Sequence, residues 1–164
     1  MALTKVQGEG ISGVSISANN EITMSSQPAF LVRPASNQSN IAVGSDVTIV
    51  MGTEIFDQNG DFASNTFTAP VTGKYRFDYG IRLQDVDTAS SYYISKIVTS
   101  NREYTFIFDS DESNSDLEYL GLSNSVLADM DAGDTAILKL YQAAGTSQTD
   151  INANNTKFSG NLVC

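Results

Sequence analysis

An all-β fold of the sandwich or jelly-roll kind is what this chain predicts. The stretch FTAPVTGKYRFDYGIRL, from Phe67 to Leu83, carries the prediction best. Within it Tyr75, Phe77, Tyr79, Ile81 and Leu83 alternate with Lys74, Arg76, Asp78, Gly80 and Arg82. Large apolar residues at a strict period of two describe a strand with one buried and one wet face. Further strand-like runs recur at short intervals, separated by Gly, Pro, Asn and Asp clusters, as in sandwiches and jelly rolls. Composition agrees. Charged residues are only 17% of the chain, and Ser, Thr, Asn and Gln fill the polar positions, so helix-favouring runs of Glu, Lys, Ala and Leu are missing.

In chain order, residues 1–26 stand apart, with no aromatic residue and scattered Ile, Val and Leu. They read as an extended N-terminal arm that gains order by lying on something else. The short alternation ISGVSIS, with Ile11, Val14 and Ile16, fits strand addition to a partner's sheet edge. Residues 27–164 form the domain. Its strand candidates are Ala29 to Arg33, Val47 to Met51, Asp61 to Phe67, Lys74 to Leu83, Tyr92 to Ser100, Tyr104 to Phe108, Glu118 to Leu127, Thr135 to Gln142 and Lys157 to Val163. Turns are expected at Gln58-Asn59-Gly60, Pro70 to Gly73, Asp131 to Asp134 and across the polar run from Gly145 to Asn155. Gly73 is read as the residue that permits a tight turn.

The spacing of Phe67, Gly73, Tyr75, Phe77 and Tyr79 resembles the F-x5-G-x-Y-x-F-x-[FY] signature of the globular head of complement C1q, which shares its fold with the tumour necrosis factor family. Pro28 to Phe30 looks like that family's first strand, Ala132-Gly133-Asp134 before ILKLYQ like the turn into its penultimate strand, and Phe158-Ser159-Gly160 like its closing strand. The interval from Phe62 to Phe67 is shorter than in the vertebrate pattern. The resemblance implies a C1q-like jelly roll whose heads pack as a homotrimer.

Several strands are apolar on both faces, notably YTFIF from Tyr104 to Phe108 and ILKLY from Ile137 to Tyr141. The second face needs a cover, because apolar surface left in water invites association. Tyr93, Tyr104, Phe106, Phe108 and Tyr141 are therefore the candidates for the contact between copies, aromatic residues being favoured in interface cores.

Other chemistry is limited. The chain has no histidine, which removes Ser-His-Asp and Cys-His catalysis and histidine metal sites. Its single cysteine, Cys164, has no partner for an internal disulfide. No Gly-rich phosphate loop occurs, so no enzymatic role is expected. Acidic residues gather at Asp109, Asp111, Glu112 and Asp116, and again at Asp85 and Asp87. Asp109, Asp111 and Asp116 are candidate ligands for calcium, which prefers six to eight oxygens, set against a solvated acidic surface. The net charge of −10 argues against nucleic acid and against an anionic membrane as partners.

MALTKVQGEGISG followed by a C1q-like head resembles structural proteins of tailed bacteriophages. The functional expectation is a trimeric capsid decoration, or cement, protein that contacts the major capsid protein through its arm. No apolar core of a secretory signal is visible at the start, which fits assembly into a virion in the host cytoplasm. The alternatives are the receptor-binding tip of a tail fibre, or a secreted C1q-like binding module.

Overall fold

The computed structural model describes residues 13–110 and 115–164. Fourteen strands appear among them: β1 (Val14–Ile16), β2 (Ile22–Met24), β3 (Ala29–Arg33), β4 (Asp46–Thr48), β5 (Thr53–Asp57), β6 (Phe62–Ala63), β7 (Thr66–Thr68), β8 (Gly73–Val86), β9 (Tyr92–Thr99), β10 (Glu103–Asp109), β11 (Leu117–Met130), β12 (Thr135–Ala143), β13 (Asp150–Ile151) and β14 (Lys157–Leu162). No helix occurs among the described residues. One sheet runs β11-β8-β14-β3-β5, with β13 also on β8, and the other runs β10-β9-β12-β7-β6, with β4 also on β12. All the pairings are antiparallel. The two sheets face each other as a sandwich, and a separate two-stranded ribbon, β1-β2, precedes them.

The alternation along β8 sets the core. Tyr75, Phe77, Tyr79, Ile81 and Leu83 are all buried, while Lys74 and Arg76 are exposed and Asp78, Gly80 and Arg82 half-buried. Phe67, from the opposite sheet, is also fully buried, 5.5 Å from the Tyr75 ring and 5.6 Å from Phe77. Phe30 joins both layers, with ring centroids 5.0 Å from Phe62, 4.9 Å from Phe67 and 5.2 Å from Phe158. Each such ring contributes roughly 2–3 kcal/mol of burial, and the edge-to-face pairs add directional preference. Their hydroxyl-bearing neighbours are satisfied: Tyr75 donates to the Val71 carbonyl at 2.8 Å, and the Tyr79 hydroxyl meets Ser95 Oγ at 2.7 Å across the sandwich.

Two glycines are fixed by close approach. A Cβ on Gly160 would lie 2.5 Å from Phe77 and 2.7 Å from Phe30. Gly73 differs from the turn role expected of it. It is not among the residues of positive φ; instead a Cβ there would meet Leu162 at 2.6 Å and the Cys164 carbonyl at 2.7 Å. The closing strand lies against it, and only glycine leaves the room.

The region expected as an extended arm is different where it is described. Val14 pairs with Met24 and Ile16 with Ile22, closing a hairpin whose turn is held by Ser17. Ile11 lies outside the described residues. Asp61 to Phe67 is likewise not one strand but the hairpin β6–β7, turned at Ser64 and Asn65 with φ of 51° and 65°. Two left-handed residues make the two-residue turn whose twist suits antiparallel strands.

Candidate functional site

The outward face of the β8-containing sheet is a surface that the sequence pattern leaves unexplained. Along β8 it presents Lys74, Arg76, Asp78, Gly80, Arg82 and Gln84. Register sets Leu127 opposite Arg76, Ser125 opposite Asp78, Ser123 opposite Gly80, Gly121 opposite Arg82 and Tyr119 opposite Gln84. On the other side β14 places Ser159 opposite Asp78 and Asn161 opposite Arg76. The centre of this face is thus paved with Gly and Ser and is shallow. Larger apolar groups stand around it: Leu127 is 60% exposed, Ile55 55%, Phe56 49% and Tyr119 44%. The Arg82 guanidinium lies 3.9 Å over the Tyr119 ring, an attraction to the negative ring face. The Arg76–Asp78 pair at 3.0 Å is exposed and contributes little to stability.

At one margin of the sandwich the edge strands of both sheets come together, β11 from one and β10 from the other. A long edge strand offers unpaired backbone groups, and natural proteins guard such edges with Lys, Pro or a cover. β11 carries neither Lys nor Pro over its 14 residues. Tyr104 and Phe108 on β10, with Leu120 and Val126 on β11, pack against the core from this margin, while Phe106 is 39% exposed. The apolar margin and the shallow face are neighbours on one side of the molecule.

The five interface candidates do not form a single surface. Tyr104, Phe106 and Phe108 share the margin. Tyr93 corrects the expectation: it is fully buried, its hydroxyl accepting the Asp87 N–H at 3.0 Å and contacting Thr149 Oγ1 at 2.7 Å, so no neighbouring copy reaches it. Tyr141 is half-buried on the outward face of the other sheet, where its ring lies 6.3 Å from Tyr92. The face residues Tyr119, Leu127, Ile55 and Phe56 were missed. The signal was present in β11, where Tyr119 and Leu127 fall on the alternate positions shared with Gly121, Ser123 and Ser125.

The acidic residues are placed separately. Asp111 lies outside the described residues. Asp116 Oδ1 accepts from the Thr88 N–H at 3.0 Å and hydroxyl at 2.8 Å, and Asp109 ends β10. Among the described residues, no group of three or more side chains comes together that would hold a metal ion. Asp87 does something else. It is buried, and its carboxylate accepts backbone N–H groups from Ala89 at 2.9 Å, Ser147 at 2.7 Å and Thr146 at 2.5 Å. Burial alone would push its carboxyl up, but the donors from Ser147, Ala89 and Thr146 outweigh that and hold it below the usual carboxylate range. Asp87 therefore clasps the 144–149 loop to the 87–91 loop.

The β1–β2 hairpin is two-faced. Ser15 and Thr23 share one side, bonded at 2.6 Å, while Ile16, Ile22 and Met24 are 56%, 69% and 47% exposed. Side chains of the body hold its base, Gln58 donating to the Met24 carbonyl at 2.8 Å and Asn59 to that of Ser26 at 3.1 Å.

Residues 29–163 match the sequence profile described as the C1q domain. Among solved structures, the globular domain of zebrafish complement 1qA is similar at a TM-score of 0.61 and 18% identity, covering 84% of this chain and 98% of that one. A crystal structure of murine APRIL at pH 8.0 is similar at a TM-score of 0.57 and 11% identity, covering 84% and 99%. No curated protein sequence matches the chain.

Proposed function

The chain belongs to the C1q domain family, and on that premise we propose that it is a non-enzymatic binding module that works as a homotrimer and attaches to a larger particle through its N-terminal hairpin. The observation that carries this reading is the pairing, on one side of the sandwich, of an apolar margin with a shallow polar face that apolar groups surround. A ring of three copies needs a heterologous contact, in which one patch meets a different patch on the next copy. The margin with Tyr104, Phe106 and Phe108 is the first patch; the shallow Gly/Ser face rimmed by Tyr119, Leu127 and Phe56 is the second. Three chains at −10 carry −30 between them, so this contact must offset their mutual repulsion.

The particle in this proposal is a tailed-phage virion assembled in the host cytoplasm, and the partner is its major capsid protein. Support comes from the resemblance of the opening residues to phage structural proteins and from the exposed Ile16, Ile22 and Met24, which give the hairpin an apolar side to lay on a partner. The head then caps a threefold point of the capsid lattice as cement. The test is a copy count on purified particles, combined with removal of the protein. Hundreds of copies per particle, with stripped capsids bursting at lower temperature, are the expected result. Rebinding should fail for a chain lacking residues 1–26 that still folds. A handful of copies at the tail, with host adsorption lost and capsid stability unchanged, overturns the cement reading in favour of a fibre tip.

A further inference from the structure

On the outward face of the β10-β9-β12 sheet lies a second surface with a different character. Its rows are set by register. Ile107 stands beside Ile94, Ile94 beside Tyr141, and Tyr141 beside Asp46; in the next row Tyr92 stands between Asp109 and Ala143. Tyr92 and Tyr141 are thus diagonal neighbours on one face, with ring centroids 6.3 Å apart and planes inclined by 23°. Tyr92 is 38% exposed and Ile107 59%.

The hydroxyls of this pair differ from those inside the sandwich. Those of Tyr75, Tyr79 and Tyr93 are each bonded inside the protein. Among the described residues, neither Tyr92 nor Tyr141 spends its hydroxyl on a protein partner, so both are available to a ligand. Beside Tyr141 sits a fixed acceptor: the Asp46 carboxylate is held by the Lys96 ammonium at 2.8 Å, and Lys96 also reaches Glu103 at 3.5 Å. Lys139, opposite Lys96 in the register and two residues from Tyr141, brings a second ammonium to the same face, so the corner offers Asp46 as an acceptor without a net charge of its own.

We propose that Tyr92 and Tyr141 form a platform for a neutral hexopyranose at the end of a glycan. The electron-rich ring faces attract the weakly positive C–H face of a pyranose. Sugar hydroxyls at the rim donate to Asp46, which keeps lone pairs free beside its ion pair, and exchange hydrogen bonds with the tyrosine hydroxyls. Charge selects within the class: the net charge of −10 on the chain disfavours sulfated and sialylated sugars. A single shallow platform binds at about millimolar strength, and three on one trimer raise that by avidity. The platform itself needs only one copy of the domain and holds wherever on a particle the domain resides.

The experiment is proton NMR of the full chain titrated with cellohexaose, a β1,4-galacto-oligosaccharide and mannohexaose, with heparin hexasaccharide as the anionic control. At least one neutral probe should shift the ring protons of Tyr92 and Tyr141, a readout on the unaltered protein. The variant Tyr92→Ala/Tyr141→Ala should lose affinity by about tenfold or more, whereas Val71→Ala, an exposed position in the turn before β8, should not. Tyr92→Ser alone serves if the double variant does not fold. The assignment is overturned if no neutral probe binds up to about 10 mM, if heparin binds best, or if a folded tyrosine variant binds as well as the original.

Discussion

Asp87 shows how much of a residue's role depends on what the fold brings to it. In the sequence it is one of several acidic residues near Asp85, open to a cation-binding reading. In the structure it is a buried acceptor for three backbone N–H groups, two of them from a loop some sixty residues away. Long-range partners of this kind leave no local pattern. Removing the carboxylate in Asp87→Ala strands buried donors, at a cost of about 3 kcal/mol at neutral pH, or a fall in Tm of roughly 6–12 °C. Because folding lowers its pKa, the contribution is complete above the ordinary carboxylate range and is lost as pH falls through it and below. The stability gap between the native chain and the variant should therefore narrow as pH falls below about 4. Denaturant titrations across that range check it, and a gap independent of pH contradicts it. Tyr93 makes the same point about legibility. Adjacent Tyr92 and Tyr93 must point to opposite faces of a strand, but which face is the core depends on the opposing sheet.

At the level of elements, the long strands were legible, β3 and β10 were too, and most of the shorter strands were not. β8, β9, β11, β12 and β14 fall within a few residues of their expected spans, because each has enough alternating positions to specify a buried face. β5 reads Thr-Glu-Ile-Phe-Asp and is exposed over Glu54, Ile55 and Phe56; its bulge against β3 and its place at a sheet edge remove the alternation that would have revealed it. The β6–β7 hairpin was hidden because Ser64-Asn65 is a weaker turn signal than Asn-Gly. The β1–β2 ribbon is too short to show a period. In the proposed trimer, the element that matters most is the margin formed by β10 and β11. A lysine in place of Phe106 or Leu127 puts an ammonium into the proposed contact while leaving the core untouched, since both side chains are already exposed. Phe106→Lys/Leu127→Lys should keep its β-sheet circular dichroism and become monomeric at micromolar concentration, as judged by light scattering. An unchanged oligomer excludes the margin from the contact.

For the molecule as a whole, the aromatic signature from Phe67 to Tyr79 and the order of the strand-like segments made the sandwich readable, whereas the places of the surplus apolar residues were only partly so. Surplus apolar residues announced that some face must be covered, but whether they belong to the margin, the core or the far side depends on how strands are ordered within sheets. Tyr104, Phe106 and Phe108, Tyr93, and Tyr141 went to those three places respectively. The account rests most heavily on three copies closing through the margin and the shallow face. Sedimentation velocity of the full chain at micromolar concentration tests it directly: one species at three times the 17.6 kDa of a single chain is the result predicted, and a lone 17.6 kDa monomer persisting to about 100 μM is the result that contradicts it.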